Sequence, residues 1–438
     1  MRDRRSAAAA AAPRQLLRLR LLLPLLLVAL ACAIGPAAGE DAPAPLHPAD
    51  LSACPNLRIA VINGVPFHYE VLAGLLHVLQ PYAPRTDVYL NRYTRSSNAD
   101  GAWELLRWSK ATFHLLTREL ADGPLPYQYD LVVLVSTDYE LDAAAELLRR
   151  MRPRLVVALV HNADFQGIPR LLSAAAGLAA GASSSAVVGA AGAAGAAAGP
   201  SVQLLTLSPH VAASLAAASG QPAGWALPTY PFNPITDCLA APESELLGRC
   251  LRGFSLQGKL SNLRRNYTAV WQQLLAHREA LTSGDAGRLF HVFVAGKGPN
   301  RLSLPPELEP HVTLLRRLRF HRFYEAIHHT LALLPALASP RYLTDKFTST
   351  IITSLTSGTP MLADARFLAA YSMLGPESVY LQHEGESEAE AMLRLMSLPA
   401  ADLLAVRRGL RTVRKRLNDE ASTHYAKLLR GLCGGGGK

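Results

Sequence analysis

The chain has 438 residues, half of them hydrophobic and 18% charged, with 44 Lys and Arg against 34 Asp and Glu for a formal charge of +10. That length suffices for two substantial cores, and the apolar content excludes an intrinsically disordered chain. Six arginines against one aspartate within residues 1–20 carry half of the net charge, so the remainder is too mildly basic to make a nucleic-acid partner.

Residues 1–39 read as a targeting segment. The arginines precede a Leu-rich core, LLLPLLLVALACAIGPAA (Leu21–Ala38), that ends in small residues. This is the layout of a cleaved signal peptide, and the core also has the length of an uncleaved signal anchor with a single span. Both alternatives stand. In either, the flanking arginines direct the rest of the chain into the secretory pathway, to the ER/Golgi lumen as an anchored or free protein, or to secretion. The core is too continuous for a chloroplast transit peptide. Residues 40–55, rich in Pro, Ala and Asp, are the expected stem.

Residues 56–235 alternate strand and helix signals. Leu57–Ile62 is an apolar run that ends in the turn pair Asn63-Gly64. Val71, Leu72, Leu75, Leu76 and Leu79 then mark one face of a helix over about Phe67–Gln80. Strands are predicted at Thr86–Leu90, Leu131–Val135, Leu155–Val160 and Val202–Leu207, with helices at Ala143–Arg150 and His210–Ala218. Continuously apolar strands separated by helices imply a parallel sheet covered on both faces. Residues 172–200, an Ala/Gly/Ser-rich tract, are too uniform to hold a core and are expected as an exposed insertion. Trp225–Pro234, with three prolines, reads as a linker.

Residues 250–400 repeat the pattern. Strands are predicted at Gly253–Gln257, Leu289–Ala295, Val312–Leu314, Met361–Ala363 and Val379–Gln382. Helices are predicted near Arg265–Arg278, Phe323–Ala338, Lys346–Thr356 and Ser387–Ser397. Phe347, Ile351, Ile352 and Leu355 share a helical face, Thr344 or Asp345 is the expected cap, and Gly358 with Pro360 ends the helix. Thr348, Ser349 and Thr350 in its first turn would bring free N–H groups and hydroxyls together as an anion cradle. Residues 401–438 give a long helix over Leu403–Leu429 and a Gly-rich tail, and the run from Arg407 to Arg416 is expected to be a solvated face. Two doubly wound halves would meet with their strand ends at a shared cleft, where such folds bind ligands.

Outside the leader, Cys54, Cys238, Cys250 and Cys433 allow three pairings. Cys238–Cys250 is the local candidate in an oxidising compartment, and buried free thiols are the alternative. No Cys or His spacing of metal-binding type occurs, and the adjacent His328 and His329 face different ways on a helix. Gly253 to Lys259 has phosphate-loop spacing, but Leu260 replaces the hydroxyl residue such a loop requires. No G-x-S-x-G hydrolase elbow is present.

Four stretches of the second half resemble the donor domain of the group-one glycosyltransferases, the GT-B-fold class that includes glycogen and sucrose synthases. Gln257-Gly258-Lys259-Leu260 through Arg264 is similar to a segment in which two cations hold the donor diphosphate. Phe293–Pro299 is similar to the family's strand and G-x-G-P turn, Ser357-Gly358-Thr359-Pro360 to its S-G-x-P, and the segment before that to its paired glutamates. Asp345 and Thr353 stand at the two glutamate positions. The first half is similar more loosely, at Val61–Pro66, Ser208–His210 and Pro228–Tyr230, and in Leu159-Val160-His161-Asn162, where the family's strand ends in a sugar-lining His. The ordering of residues 328–360 also resembles an uncharacterised branch in plants, algae and fungi.

The resemblance implies an α/β GT-B architecture of two Rossmann-like domains facing a central cleft. It implies hexosyl transfer from a nucleotide diphosphate sugar, a co-substrate and not a cofactor, to a glycan, lipid or protein acceptor. Asp345 and His161 are then the catalytic candidates. Lys259, Arg264, Gly296, Thr348, Ser349 and Thr353 would bind the donor, and Asn63 with Gly64 would form the acceptor-side loop. No Asp-x-Asp triplet occurs, which, with Lys259 and Arg264 available for the phosphates, points to transfer without a metal. Thr353 in place of glutamate supports a second reading, a catalytically inactive GT-B-like protein that binds glycans or protein partners.

Overall fold

The computed structural model describes residues 54–96, 100–116, 125, 128–183, 200–298 and 302–434. The expected leader, most of the expected stem and the Gly-rich tail lie outside the described residues. Among those described, no helix is long and apolar enough to cross a membrane.

The first half contains β1 (Ile59–Asn63), α1 (Tyr69–Val78), β2 (Thr86–Leu90), β3 (Thr112–Leu115), β4 (Leu131–Leu134), α2 (Thr137–Met151), β5 (Leu155–Leu159), α3 (Ile168–Ser183), β6 (Ser201–Thr206), α4 (Pro209–Ser219) and β7 (Ala223–Trp225). Its seven strands form a parallel sheet in the order β3-β2-β1-β4-β5-β6-β7. β1, β2 and β4 are buried at every position, as the apolar runs of β1 and β4 require of a sheet covered on both faces, and β2 carries Thr86 and Asp87 into that interior.

The second half contains β8 (Phe254–Lys259), α5 (Tyr267–Ala276), β9 (Val292–Lys297), β10 (Val312–Arg316), α6 (Phe320–His328), β11 (Ala332–Leu334), α7 (Thr350–Ser357), β12 (Leu362–Ala363), β13 (Tyr380–Leu381), α8 (Glu388–Met396) and α9 (Ala400–Gly434). Four strands pair in the parallel order β10-β9-β8-β11, and a bridge between Leu333 and Met361 carries the sheet on to the β12–β13 pair.

Several expectations need correction. The helix expected over Phe323–Ala338 stops at His328, because Ala332–Leu334 are fully buried beside β8 as a strand. Residues 172–183 continue α3 and are not a loop, while 184–199 lie outside the described residues. Trp225 belongs to β7, so the linker starts at Ala226. The basic run of α9 is only partly a solvated face: Arg407 is 1% exposed, Arg411 bonds Asp237 at 2.7 Å, and Arg414 reaches the Leu355 carbonyl.

α9 ties the halves together. Leu403 and Leu404 pack in the core of the second half, whereas Leu410, Leu417, Tyr425 and Leu429 join the cluster built on β1 and β4. Asn418 accepts the Thr229 N–H at 2.8 Å and donates to the Thr229 carbonyl at 3.0 Å, which pins α9 to the linker. His328 is buried as a neutral ring. Its Nδ1–H donates to the Ser357 carbonyl, its Nε2 accepts the Cys238 N–H, and burial beside Arg407 pushes its pKa down to about 4.

The free-thiol alternative is displaced, because Cys238 bonds Cys250 and Cys54 bonds Cys433 across 379 residues. Cys433→Ser is expected to lower the unfolding free energy of the oxidised protein by about 2–4 kcal/mol, since the bond constrains a very long loop in the unfolded chain. Urea unfolding of the two proteins side by side measures the difference.

Candidate functional site

A cleft of about 690 Å³ lies where the C-terminal strand ends of the two sheets face each other. On the side of the second half, β8 and β9 run with Gly258 opposite Gly296 and Lys259 opposite Lys297, so both lysines leave the sheet together at the cleft. A Cβ on Gly296 would lie 1.9 Å from the Gly258 carbonyl oxygen, and Gly258 itself has φ +127°. Only glycine lets the strand ends come this close. Lys297 is paired with Asp100 across the cleft. Lys259, Arg264, Gly296, Thr348, Ser349, Thr353 and His161 all line it.

The most informative residue is Arg265, which also lines the cleft and is only 4% exposed. Its Nε donates to the Gln257 carbonyl at 2.9 Å, its Nη2 to Thr350 Oγ1 at 2.8 Å and its Nη1 to the Arg264 carbonyl at 3.1 Å. These are neutral oxygens, and among the described residues no carboxylate pairs with the guanidinium. Burial accordingly lowers its pKa. A buried cation without a counter-charge is costly, and an anion in the cleft would relieve that cost.

The hydroxyls beside it form one cluster around Thr350 Oγ1. Thr350 Oγ1 accepts from Arg265 Nη2 and Gln257 Nε2 and also from the Thr348 hydroxyl at 3.1 Å. Thr348 Oγ1 also receives the Thr350 N–H at 3.4 Å. The Thr348 hydroxyl is thus both donor and acceptor to Thr350, which fixes it at the cleft wall beside Arg265. α7 starts at Thr350, so Ser349 holds the cap position, and neither Thr344 nor Asp345 does. Thr353, one turn on, is 4% exposed, and its carbonyl accepts the Ser357 hydroxyl.

Asp345 is placed differently from the expectation. Its carboxylate accepts from Arg341 at 2.9–3.1 Å, and Arg341 also reaches Asp164 of the first half at 2.8 Å. The Asp345 carbonyl accepts the Ala163 N–H at 2.8 Å. This residue fastens the two halves beside the cleft and is not among the lining residues.

The facing wall is built from the loop after β1 and the end of β5. His161 donates from Nε2 to the Val135 carbonyl at 2.8 Å and stacks on His68, with ring centroids 3.9 Å apart. Glu70, in the first turn of α1, lines the cleft, and burial raises its pKa against its own backbone hydrogen bond and the pull of His161 and Lys297. Asn63 lies beneath this wall, fully buried, and Gly64 accepts from Asn91 at 2.7 Å; both support the loop from behind and neither lines the cleft. Sequence reasoning missed His68, Glu70, Gln257 and Arg265. The available signals were the Phe67-His68-Tyr69-Glu70 cluster directly after the first turn and the doubled arginine at 264–265.

No protein-family model matches the chain, and no curated protein matches it in sequence. Solved structures do match. HepE of Anabaena in complex with UDP is 12% identical with a TM-score of 0.54, over 86% of this chain and 100% of that one. The same protein in complex with UDP-glucose gives the same identity, score and coverage of 12%, 0.54, 86% and 100%. Sucrose-phosphate synthase from Thermosynechococcus elongatus is 12% identical with a TM-score of 0.50, over 86% of this chain and 99% of that one. The expected plant, algal and fungal branch finds no support among them. At such identities the likeness speaks for architecture. Two parallel α/β halves around one cleft, tied by a returning C-terminal helix, give this chain the GT-B fold that these glycosyltransferases share.

Proposed function

We propose that this protein is a glycosyltransferase that moves a sugar from a nucleotide diphosphate sugar to a hydroxyl acceptor. One observation carries the reading: the buried, uncompensated Arg265 stands beside Lys259, Arg264, Thr348 and Ser349 in one cleft. Such a cluster would bind a diphosphate and stabilise the charge it gains as it leaves, which is a principal source of catalysis in transfer of this kind. It could do so with protein cations alone, so the reaction is proposed to need no metal. UDP is the first nucleotide to test, because HepE binds UDP and UDP-glucose. The acceptor, a glycan, lipid or protein, would enter from the wall of the first half. The Leu21–Ala38 leader and the two disulfides support a place in the secretory pathway, anchored or free.

The test is calorimetry with UDP, GDP and ADP in the absence of added metal. Micromolar binding of one nucleotide is expected, and Lys259→Ala and Arg264→Ala should each weaken it by about 1–3 kcal/mol, roughly ten- to hundredfold. If none of the three binds, the transferase reading falls. A second reading, a non-catalytic binding protein on the same fold, is favoured by the capture of the Asp345 carboxylate by Arg341. Nucleotide binding without any sugar transfer would select it.

A further inference from the structure

Two cysteines and a histidine meet where the linker enters the second half. His329, the residue after α6, turns Nδ1 toward both sulfurs of the Cys238–Cys250 pair, at 3.5 Å from Cys238 and 3.8 Å from Cys250. The three ligand atoms lie within 4.8 Å of one another. Around a tetrahedral zinc ion, bonds of about 2.3 Å to sulfur and about 2.0–2.1 Å to nitrogen set sulfur and nitrogen about 3.5 Å apart. Both observed distances are close to that value. The other ring nitrogen, Nε2, lies 3.2 Å from Glu325 Oε1, one turn earlier in α6. A carboxylate only accepts, so Nε2 donates its hydrogen and Nδ1 is the nitrogen left for coordination. Glu325 is itself held, accepting the Ile235 N–H with both oxygens at 3.1–3.2 Å. A carboxylate behind a histidine is the arrangement that orients and strengthens a metal-ligating imidazole. In the oxidised chain Nδ1 also lies 3.0 Å from the Cys250 carbonyl, a contact that a metal would replace.

We propose that, once the Cys238–Cys250 disulfide is opened, Cys238, Cys250 and His329 bind one zinc ion, so that metal and disulfide are alternative staples for the same segment. The opening takes two electrons and two protons from a dithiol, which closes its own disulfide, and leaves one proton on each sulfur. Zinc then displaces both protons to solvent as the two Zn–S bonds form. The sulfurs part to about 3.8 Å, the separation of two thiolates on a tetrahedral ion. Two thiolates and an imidazole suit zinc, whereas magnesium and calcium take oxygen ligands. The cysteines are buried, so their two negative charges need the dication that binds them. The His329 side chain is 32% exposed, which opens the fourth position to water. The neighbouring Asp237 carboxylate is already taken up by Arg411 at 2.7 Å. None of these residues lines the cleft. The ion holds the linker exit to α6 and takes no part in transfer, so the proposal stands independently of the transferase reading.

The experiment uses the full chain, reduced with a dithiol and freed of it under argon, with its thiols counted before metal is added. Cobalt(II), a spectroscopic stand-in for zinc, is expected to give thiolate charge-transfer absorption and tetrahedral d–d bands that saturate at one ion per chain. Zinc should then bleach them. The unreduced protein should show neither. Cys54→Ser/Cys433→Ser, which lacks the other disulfide, should behave as wild type. Glu325→Gln should weaken zinc by about 10–100-fold, the scale on which losing the partner of a metal-bound histidine acts, and His329→Ala should weaken it by more. Thermal unfolding gives a second reading: zinc should raise the melting temperature of the reduced wild type and leave that of Cys238→Ser/Cys250→Ser unchanged. A disulfide that stays closed in excess dithiol overturns the proposal, as does a reduced chain without the cobalt bands. So does zinc affinity of His329→Ala within about threefold of wild type, which would mark a bare thiol pair and not a three-ligand site.

Discussion

Arg265→Gln is expected to weaken UDP binding by several hundredfold, about 3–4 kcal/mol, the range found when one partner of a desolvated charge pair is removed. The glutamine amide can still donate to the Gln257 carbonyl or to Thr350 Oγ1, so the local turn keeps part of its bonding. What disappears is the positive charge. In the unliganded protein that charge is buried among neutral oxygens. Losing it should cost the fold little, because replacing a buried charge by a neutral side chain removes its desolvation penalty. Affinity and stability should therefore separate: calorimetry would show the loss of UDP, and thermal unfolding without ligand would show a small change. Wild-type protein should also gain stability from UDP, and the variant should not. An Arg265→Gln protein that binds UDP as wild type does would show that the guanidinium has only a structural role.

Arg407→Leu is expected to lower the unfolding free energy by about 3–5 kcal/mol, because it strands several buried carbonyls at once. The guanidinium donates to the carbonyls of Gly358, His328 and Thr330. Gly358 is the C-cap of α7 and His328 ends α6, so two of these are orphan acceptors at the negative ends of helices. One cation satisfies both ends and fixes α9 against them. Arg408→Leu, one residue along and exposed, should change stability by less than about 0.5 kcal/mol. Urea unfolding of both variants gives the comparison, and equal midpoints would refute the role assigned to Arg407.

The strands that were legible in the sequence are those buried on both faces. Leu131–Leu134 and Leu155–Leu159 carry unbroken apolar runs because helices cover both sides of their sheet. Thr112–Leu115 escaped notice because it is an edge strand with partly exposed positions and no such run. Ala332–Leu334 escaped because three residues are too few to interrupt a helical pattern. At the site, motif spacing located Lys259, Arg264 and Gly296, since glycine and cation positions follow the local turn. Which of two adjacent arginines points inward was not legible. That depends on the turn in which the N–H groups of both Arg264 and Arg265 bond the Ser261 carbonyl. His68 was hidden for another reason: its ring is held by Ser136, a residue 68 positions away that β1–β4 pairing brings alongside. Asp345 lies in the expected segment, but Arg341, four residues earlier, captures its carboxylate.

The chain crosses between the halves twice, once through the linker that starts at Ala226 and once in α9, and Asn418 with Thr229 fastens the crossings side by side. Two bodies joined by adjacent bars swing about the line between them but do not slide past one another. That swing is resisted by the partly exposed pairs Lys297–Asp100 and Arg319–Glu104, each worth about 1 kcal/mol or less. It is also resisted by Arg341–Asp164 and by the backbone bonds from Ala163 to Asp345, from Phe347 to His161 and from Phe320 to Asp100. Sliding would instead break the buried Asn418–Thr229 bonds and shear a core shared by α7, α9 and β1. The walls of the cleft are therefore fastened at the rims as well as at the back, and their alignment is built into the fold. Whatever enters the cleft meets Arg265 in one fixed place, without waiting for the two halves to come together.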